Sequence, residues 1–170
     1  NDVANYIMRT AASRGTAVHK MCEDYLNNQH IKWPSEFDKH KTKNFLAWSM
    51  FTQIRDILGN VDNIRCLESS LYSDELKLAG QVDCIAEYKG KLSIIDFKTS
   101  TKEKKEEWIE NYYIQTCAYA QMFEERTGQE VNQLVILIVT QDGTVQEFVK
   151  EKKEYLPLLD SALKDWYSKN

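Results

Sequence analysis

Two prolines and six glycines in 170 residues leave little material for long irregular loops or linkers, and no internal repeat or low-complexity tract interrupts the chain. No apolar run approaches the roughly 18 residues that a membrane-crossing helix needs. Arg9 and Arg14 are not followed by the apolar stretch of a secretory signal, so none is expected. The four cysteines, Cys22, Cys66, Cys84 and Cys117, show no CxxC spacing. That argues against a zinc ribbon or an iron–sulfur set, and a reduced interior fits better than a disulfide framework. A basic excess is also missing: 22 Lys and Arg against 26 Asp and Glu give a net charge of -4. Net charge says little about a local patch, so a polyanionic partner is only slightly disfavoured. What is present is ordinary globular composition, 42% hydrophobic and 28% charged, with length enough to bury one core. A single domain over residues 1–170 is therefore expected.

Apolar periodicity predicts a helix over about 2–28, carried by Val3, Ile7, Ala11, Val18, Met21, Cys22 and Tyr25. Trp33-Pro34-Ser35 reads as a break, with Ser35 as N-cap of a second helix over about 36–58 that Gly59-Asn60 ends. Residues 64–72, 76–88 and 91–97 read as strands of an antiparallel meander, turning at Ser73-Asp74-Glu75 and Lys89-Gly90. A helix over about 103–127 closes at Gly128. The run Leu134 to Val139, inside a strand over 131–140, has the continuous hydrophobicity of a strand buried on both faces. It follows a helical crossover, which predicts parallel pairing with an earlier strand. A strand over 144–150 and a helix over about 151–168 complete a mixed α/β fold, a central sheet flanked by helices.

Within this frame a few charged residues fall on strands that should be apolar. Asp83 lies in Ala79-Gly80-Gln81-Val82-Asp83-Cys84-Ile85, and Asp96 and Lys98 lie in Ser93-Ile94-Ile95-Asp96-Phe97-Lys98-Thr99. Asp96 and Lys98 are two apart and project from one face. A hairpin turning at Lys89-Gly90 pairs positions that sum to about 179, which sets Asp83 against Asp96. Burying such charges costs several kcal/mol each, about that much even after relaxation, unless they are paired. One reading is an Asp–Lys ion pair or a solvated strand edge. The other is chemical: two hard carboxylates suit Mg²⁺ or Mn²⁺, and a nearby lysine can orient water or meet charge on phosphorus.

Together these elements resemble the PD-(D/E)xK nucleases, and more narrowly their RecB-like exonuclease branch. The resemblance rests on the Gly80–Asp83 strand, on Asp96-Phe97-Lys98, on a Gly-x-x-x-His element upstream (Gly15 to His19) and on a Gln-x-x-x-Tyr element downstream (Gln115 to Tyr119). It implies a restriction-endonuclease-like core. It also implies that Asp83, Asp96 and Lys98 are catalytic, with Gln115 and Tyr119 beside them contacting substrate or Lys98, and that His19 joins the aspartates as a metal ligand. Glu68 reads either as a solvated strand residue or as a further acidic ligand. The wider superfamily often has Glu where this chain has Asp96; the iron–sulfur cysteines of some relatives are missing.

The function implied is Mg²⁺- or Mn²⁺-dependent hydrolysis of DNA, from ends and with single strands preferred, in repair, recombination or replication. Two alternatives remain open: a structure-selective or restriction-type endonuclease with the same site, and an inactive fold that only binds nucleic acid. Lys102, Lys104, Lys105, Arg14 and Lys20 are candidate phosphate contacts, with Lys39, Lys41 and Lys43 as a further basic group. Trp33, Trp48, Tyr112 and Tyr113 are each candidates either for base stacking or for the core. The expected location is the cytoplasm of a bacterial or phage-infected cell, or a mitochondrion or nucleus if a targeting segment was removed.

Overall fold

A computed structural model of the chain describes residues 2–29 and 41–170, with side chains of 41–44 outside the description. The expected break at Trp33-Pro34-Ser35, the Ser35 cap, Trp33 and Lys39 lie outside the described residues, as do the side chains of Lys41 and Lys43. The elements run α1 (Asp2–Leu26), α2 (Lys41–Arg55), β1 (Val61–Ser73), β2 (Leu78–Tyr88), β3 (Lys91–Ser100), α3 (Glu110–Thr127), β4 (Gln133–Thr140), β5 (Val145–Glu151) and α4 (Leu156–Lys169). No helix among the described residues is long and apolar enough to cross a membrane.

The strands form one five-stranded mixed sheet in the order β1-β2-β3-β4-β5, flanked by helices. β1 and β2 are antiparallel, as are β2 and β3. The β2–β3 turn is tight because Lys89 and Gly90 both take positive φ, 50° and 82°, as a type I′ turn requires. β3 and β4 start together, with the Gln133 side chain donating to Ser93 Oγ at 2.9 Å, and end together, with Gln141 N–H donating to Ser100 O at 3.1 Å. They are therefore parallel, as the helical crossover through α3 predicted. Leu134 to Thr140 of β4 are all buried, as a strand covered on both faces must be.

Two compact units share the chain: Asn1–Gly59 with Phe97–Glu103 and Leu137–Gln146, and Asn60–Asp96 with Lys104–Ile136 and Glu147–Asn170. In the first, α1 buries Val18, Cys22 and Leu26, and α2 contributes Ala47, Met50, Phe51 and Ile54. Tyr25 meets Phe51 edge-on at 6.0 Å. Val3 and Ile7, expected on the apolar face of α1, are exposed, as are Tyr6 and Met8. In the second unit α3 packs its Cys117, Ala118, Met122 and Phe123 into a core with Leu71, Val82, Ile85, Ile94 and Leu134.

The largest departure from the sequence pattern is the start of α3. A helix from about 103 was expected; instead a 3₁₀ turn at Glu106–Trp108 precedes an α-helix that begins at Glu110. Residues 102–107 are good helix formers, but all are charged, and Ile109 is the first residue of the segment to be buried. With no apolar face to bury, propensity alone does not sustain the extra turns. The other end is as read: Gly128 takes φ 72° and its N–H donates to Glu124 O at 2.8 Å.

Beside the β2–β3 turn, the buried Tyr88 donates its hydroxyl to Glu147, which Lys89 Nζ also reaches at 3.1 Å. Burial pulls the Glu147 carboxyl upward, but the Tyr88 hydroxyl and the Lys89 ammonium outweigh it and hold it below its ordinary 4.5. Its contribution to stability is thus full above about 4.5 and is lost as pH falls through the lower folded value. Tyr88→Phe is expected to cost about 1–2 kcal/mol in urea unfolding at pH 7. The gap between variant and wild type should shrink as the pH falls through that lowered value; a gap that persists undiminished once the carboxyl is protonated would remove Glu147 from the account.

Candidate active site

β1 and β2 pair Leu67 with Cys84 and Ser69 with Val82, which leaves Glu68 opposite Asp83. Glu68 has φ +45°, a left-handed conformation in the middle of a strand. For a residue with a Cβ this costs about 1–2 kcal/mol and needs something to hold it. The side-chain amide of Gln81 supplies two bonds, donating to the main-chain oxygen of Glu68 at 3.2 Å and to its Oε2 at 3.0 Å. Gln81 and Asp83 lie two apart on β2 and so share a face. The result is a Glu68 carboxylate oxygen within 4.8 Å of one from Asp83. Two ionised carboxylates at such a distance repel by about 1–3 kcal/mol near a protein surface. The neighbouring Cys84 thiol registers the same surroundings: burial first, then the charges of Asp83, Cys66 and Glu68, push it up to about 12.

Asp96 lies on the neighbouring strand β3. The β2–β3 register runs from Tyr88↔Lys91 to Cys84↔Ile95, and Asp83 and Asp96 are the next residues outward. The observed register follows the sum of about 179 that the turn predicts as far as Cys84↔Ile95. Asp96 is only 5% exposed. Lys98, two residues on along β3, is half-buried. The oxygen donors fit a hard cation: magnesium ligands on opposite sides, each at about 2.1 Å, stand about 4.2 Å apart.

The Gly-x-x-x-His element has a packing reason within the first unit. A Cβ on Gly15 would sit 2.8 Å from Thr99 Oγ1, so α1 approaches β3 there more closely than any other residue would permit. His19, one turn later, shares that face of the helix and meets the Phe97 ring edge-on at 5.8 Å. Gly80 plays the same part in the second unit, where its Cβ would lie 2.9 Å from the Tyr119 ring. Gln115 donates to the Tyr119 hydroxyl at 3.3 Å, so the Gln-x-x-x-Tyr pair is one hydrogen-bonded unit on α3.

Lys102 and Lys105 are exposed, Lys104 is half-buried, and Lys105 Nζ lies 5.2 Å from the centre of the exposed Trp108 ring. Lys20 is ion-paired with Asp24 at 3.0 Å and Glu23 at 3.6 Å. Arg14 is half-buried and donates to the side-chain oxygen of Gln141. Among the stacking candidates, Tyr113 is a core residue, 1% exposed and stacked on Tyr155 at 4.8 Å. Trp48 lies tilted against Phe51 at 5.8 Å, and Tyr112 is half-buried. Gln81 is the residue that sequence reasoning passed over. Its one signal was a polar side chain on the same strand face as Asp83.

This geometry has known counterparts. The profile of the PD-(D/E)XK nuclease superfamily matches residues 4–169. Human mitochondrial genome maintenance exonuclease 1 is 31% identical over 136 residues, covering 77% of this chain and 37% of the human protein. The mouse protein of the same name is 35% identical over 109 residues, covering 62% of this chain and 30% of its own length. The chain thus spans about a third of the length of the curated relatives it matches, 37% of the human and 30% of the mouse protein. A crystal structure from Eubacterium rectale, provisionally described as an exonuclease, superposes with a TM-score of 0.58 at 12% identity. It covers 91% of this chain and 63% of its own, and it speaks for the fold alone. With the fold, the paired carboxylates and a family match across nearly its whole length, the chain belongs to the PD-(D/E)XK nuclease superfamily.

Proposed function

We propose that residues 1–170 form one nuclease domain that hydrolyses DNA phosphodiester bonds from strand ends, with single-stranded DNA preferred and Mg²⁺ or Mn²⁺ as cofactor. The observation that carries the reading is the pair of carboxylates of Glu68 and Asp83 held within 4.8 Å in a chain of this superfamily. PD-(D/E)XK nucleases use divalent metals. Action at ends is supported by the printed name of the human and mouse relatives, exonuclease. The single-strand preference rests on the RecB-like pattern of residues 15–119.

Glu68, Asp83 and Asp96 provide the hard oxygen ligands, and His19 adds a nitrogen that makes the set as suitable for Mn²⁺ as for Mg²⁺. These residues would hold a divalent cation, whose chemistry when bound would be to polarise a phosphoryl oxygen and to lower the pKa of water. Lys98 orients the attacking water through its ammonium hydrogens and stabilises charge on the pentacovalent phosphorus. Tyr119, held by Gln115 and packed on Gly80, presents a rigid contact for substrate or for Lys98. Lys102, Lys104, Lys105, Arg14 and Lys20 contribute sequence-independent phosphate attraction, which makes binding salt-dependent.

Three measurements test the reading. Linear single-stranded DNA should be degraded in Mg²⁺ or Mn²⁺ and left whole in EDTA, while a covalently closed circle survives. Cutting that persists after thorough chelation refutes the metal mechanism, and rapid nicking of the circle makes the chain an endonuclease with the same site.

Lys98→Ala should lower the maximal rate roughly 10²–10⁴-fold with little loss of DNA affinity, since one amine is a small share of the phosphate contacts. Loss of binding with an unchanged maximal rate would make Lys98 a docking residue.

His19→Ala should weaken Mn²⁺ binding in calorimetry while changing metal-free stability by no more than about 0.5 kcal/mol. If the ring were instead a hydrogen-bonded structural element, the metal-free protein would lose about 1–3 kcal/mol and Mn²⁺ affinity would not move.

A further inference from the structure

We infer that Gln81 is a positioning residue for the metal site: its amide clamps Glu68 in a left-handed, mid-strand conformation and thereby aims that carboxylate at Asp83. The inference rests on the metal reading above and adds to it a residue outside the ligand set.

The steps are local. Flanking pairs on both sides of Glu68 and Asp83 follow one register, Cys66↔Ile85 and Leu67↔Cys84 before, Ser69↔Val82 and Ser70↔Gln81 after. The register is therefore the same on both sides of Glu68 although its own φ is +45°. Glutamate has no local preference for that conformation: its side chain is too long for the short-range bonds that let Asn and Asp adopt it. Gln81, opposite Ser70 and diagonal to Glu68, has the reach to hold it across the strands. Its two donor contacts do different things. The bond to the main-chain oxygen at 3.2 Å fixes the peptide, and the bond to Oε2 at 3.0 Å fixes the carboxylate. A neutral amide engages the carboxylate without adding a positive charge, whereas a lysine at this position would compete with the metal. Gln81 is exposed, so its own burial adds little to the fold.

Mn²⁺ binding, read from the loss of the free-ion EPR signal, tests this on the whole chain. The wild type, Gln81→Ala, Gln81→Leu, Glu68→Gln and the double variant Glu68→Gln/Gln81→Ala are titrated, with thermal unfolding in EDTA to verify that each is folded. Gln81→Leu keeps the bulk of the side chain and removes only the donor. Both Gln81 variants should need about 10-fold more Mn²⁺ for half-saturation, the scale on which partners of metal ligands act. In the Glu68→Gln background, Gln81→Ala should produce no further loss, because the clamp has then nothing charged to aim. If Glu68→Gln weakens Mn²⁺ binding while either Gln81 variant binds as the wild type does, the clamp is refuted and the metal site stands. Losses that simply add in the double variant refute it too. A wild type that takes up no Mn²⁺, or a Glu68→Gln variant with unaltered affinity, overturns the metal reading and the inference with it.

Discussion

Like charges repel, and a hydrogen-bonded sheet is a poor place to relieve the repulsion, because its side chains cannot move apart without breaking the ladder. Glu68 and Asp83 stand opposite each other on β1 and β2 with oxygens within 4.8 Å. Asp96 follows Asp83 at the next step of the β2–β3 register. Much of the local architecture is concerned with holding that group together: the left-handed Glu68, the double contact from Gln81, and the type I′ turn at Lys89-Gly90 that fixes the pairing. Two ionised carboxylates at that separation would repel by a few kcal/mol, about the scale of one favourable buried contact, and a divalent cation between them would convert the repulsion into attraction.

Two glycines explain why residues far apart in sequence recur at fixed spacings. Gly15 lets α1 come within reach of Thr99, and the helical period then delivers His19 to the same face. Gly80 lets the Tyr119 ring lie against β2 three residues before Asp83. In both cases the missing side chain, rather than backbone freedom, is what matters, since neither glycine has a positive φ. Each glycine brings a helix and a strand close enough for a functional group on one to be useful beside the other.

The net charge of -4 reads differently once the carboxylates are placed. Three of the 26 acidic residues belong to the Glu68, Asp83 and Asp96 group, and two divalent cations would cancel the formal excess. Among the described candidate phosphate contacts, Lys20 is ion-paired with Glu23 and Asp24 on its own helix, while Lys102 and Lys105 are exposed.

The sequence by itself determined whatever depends on nearest neighbours and short periods. Alternation and the Lys89-Gly90 turn were enough to give the β2–β3 register from Tyr88↔Lys91 to Cys84↔Ile95. The unbroken apolar run marked β4 as buried on both faces, and Gly128 ended α3. Gly15 with His19, and Gln115 with Tyr119, carried part of the resemblance to the PD-(D/E)xK nucleases. The tertiary structure alone decided the rest. Nothing in the residues around Glu68 announces a left-handed glutamate, because the force that holds it comes from Gln81 on another strand. The charged segment before Glu110 has the propensity for helix but no face to bury. Tyr113 became core and Val3 and Ile7 of α1 stayed exposed, since periodicity says which side chains share a face and not whether anything packs against it. Local rules fix conformation along the chain; strain, exposure and the meeting of charges depend on contacts between segments that a single strand or helix does not contain.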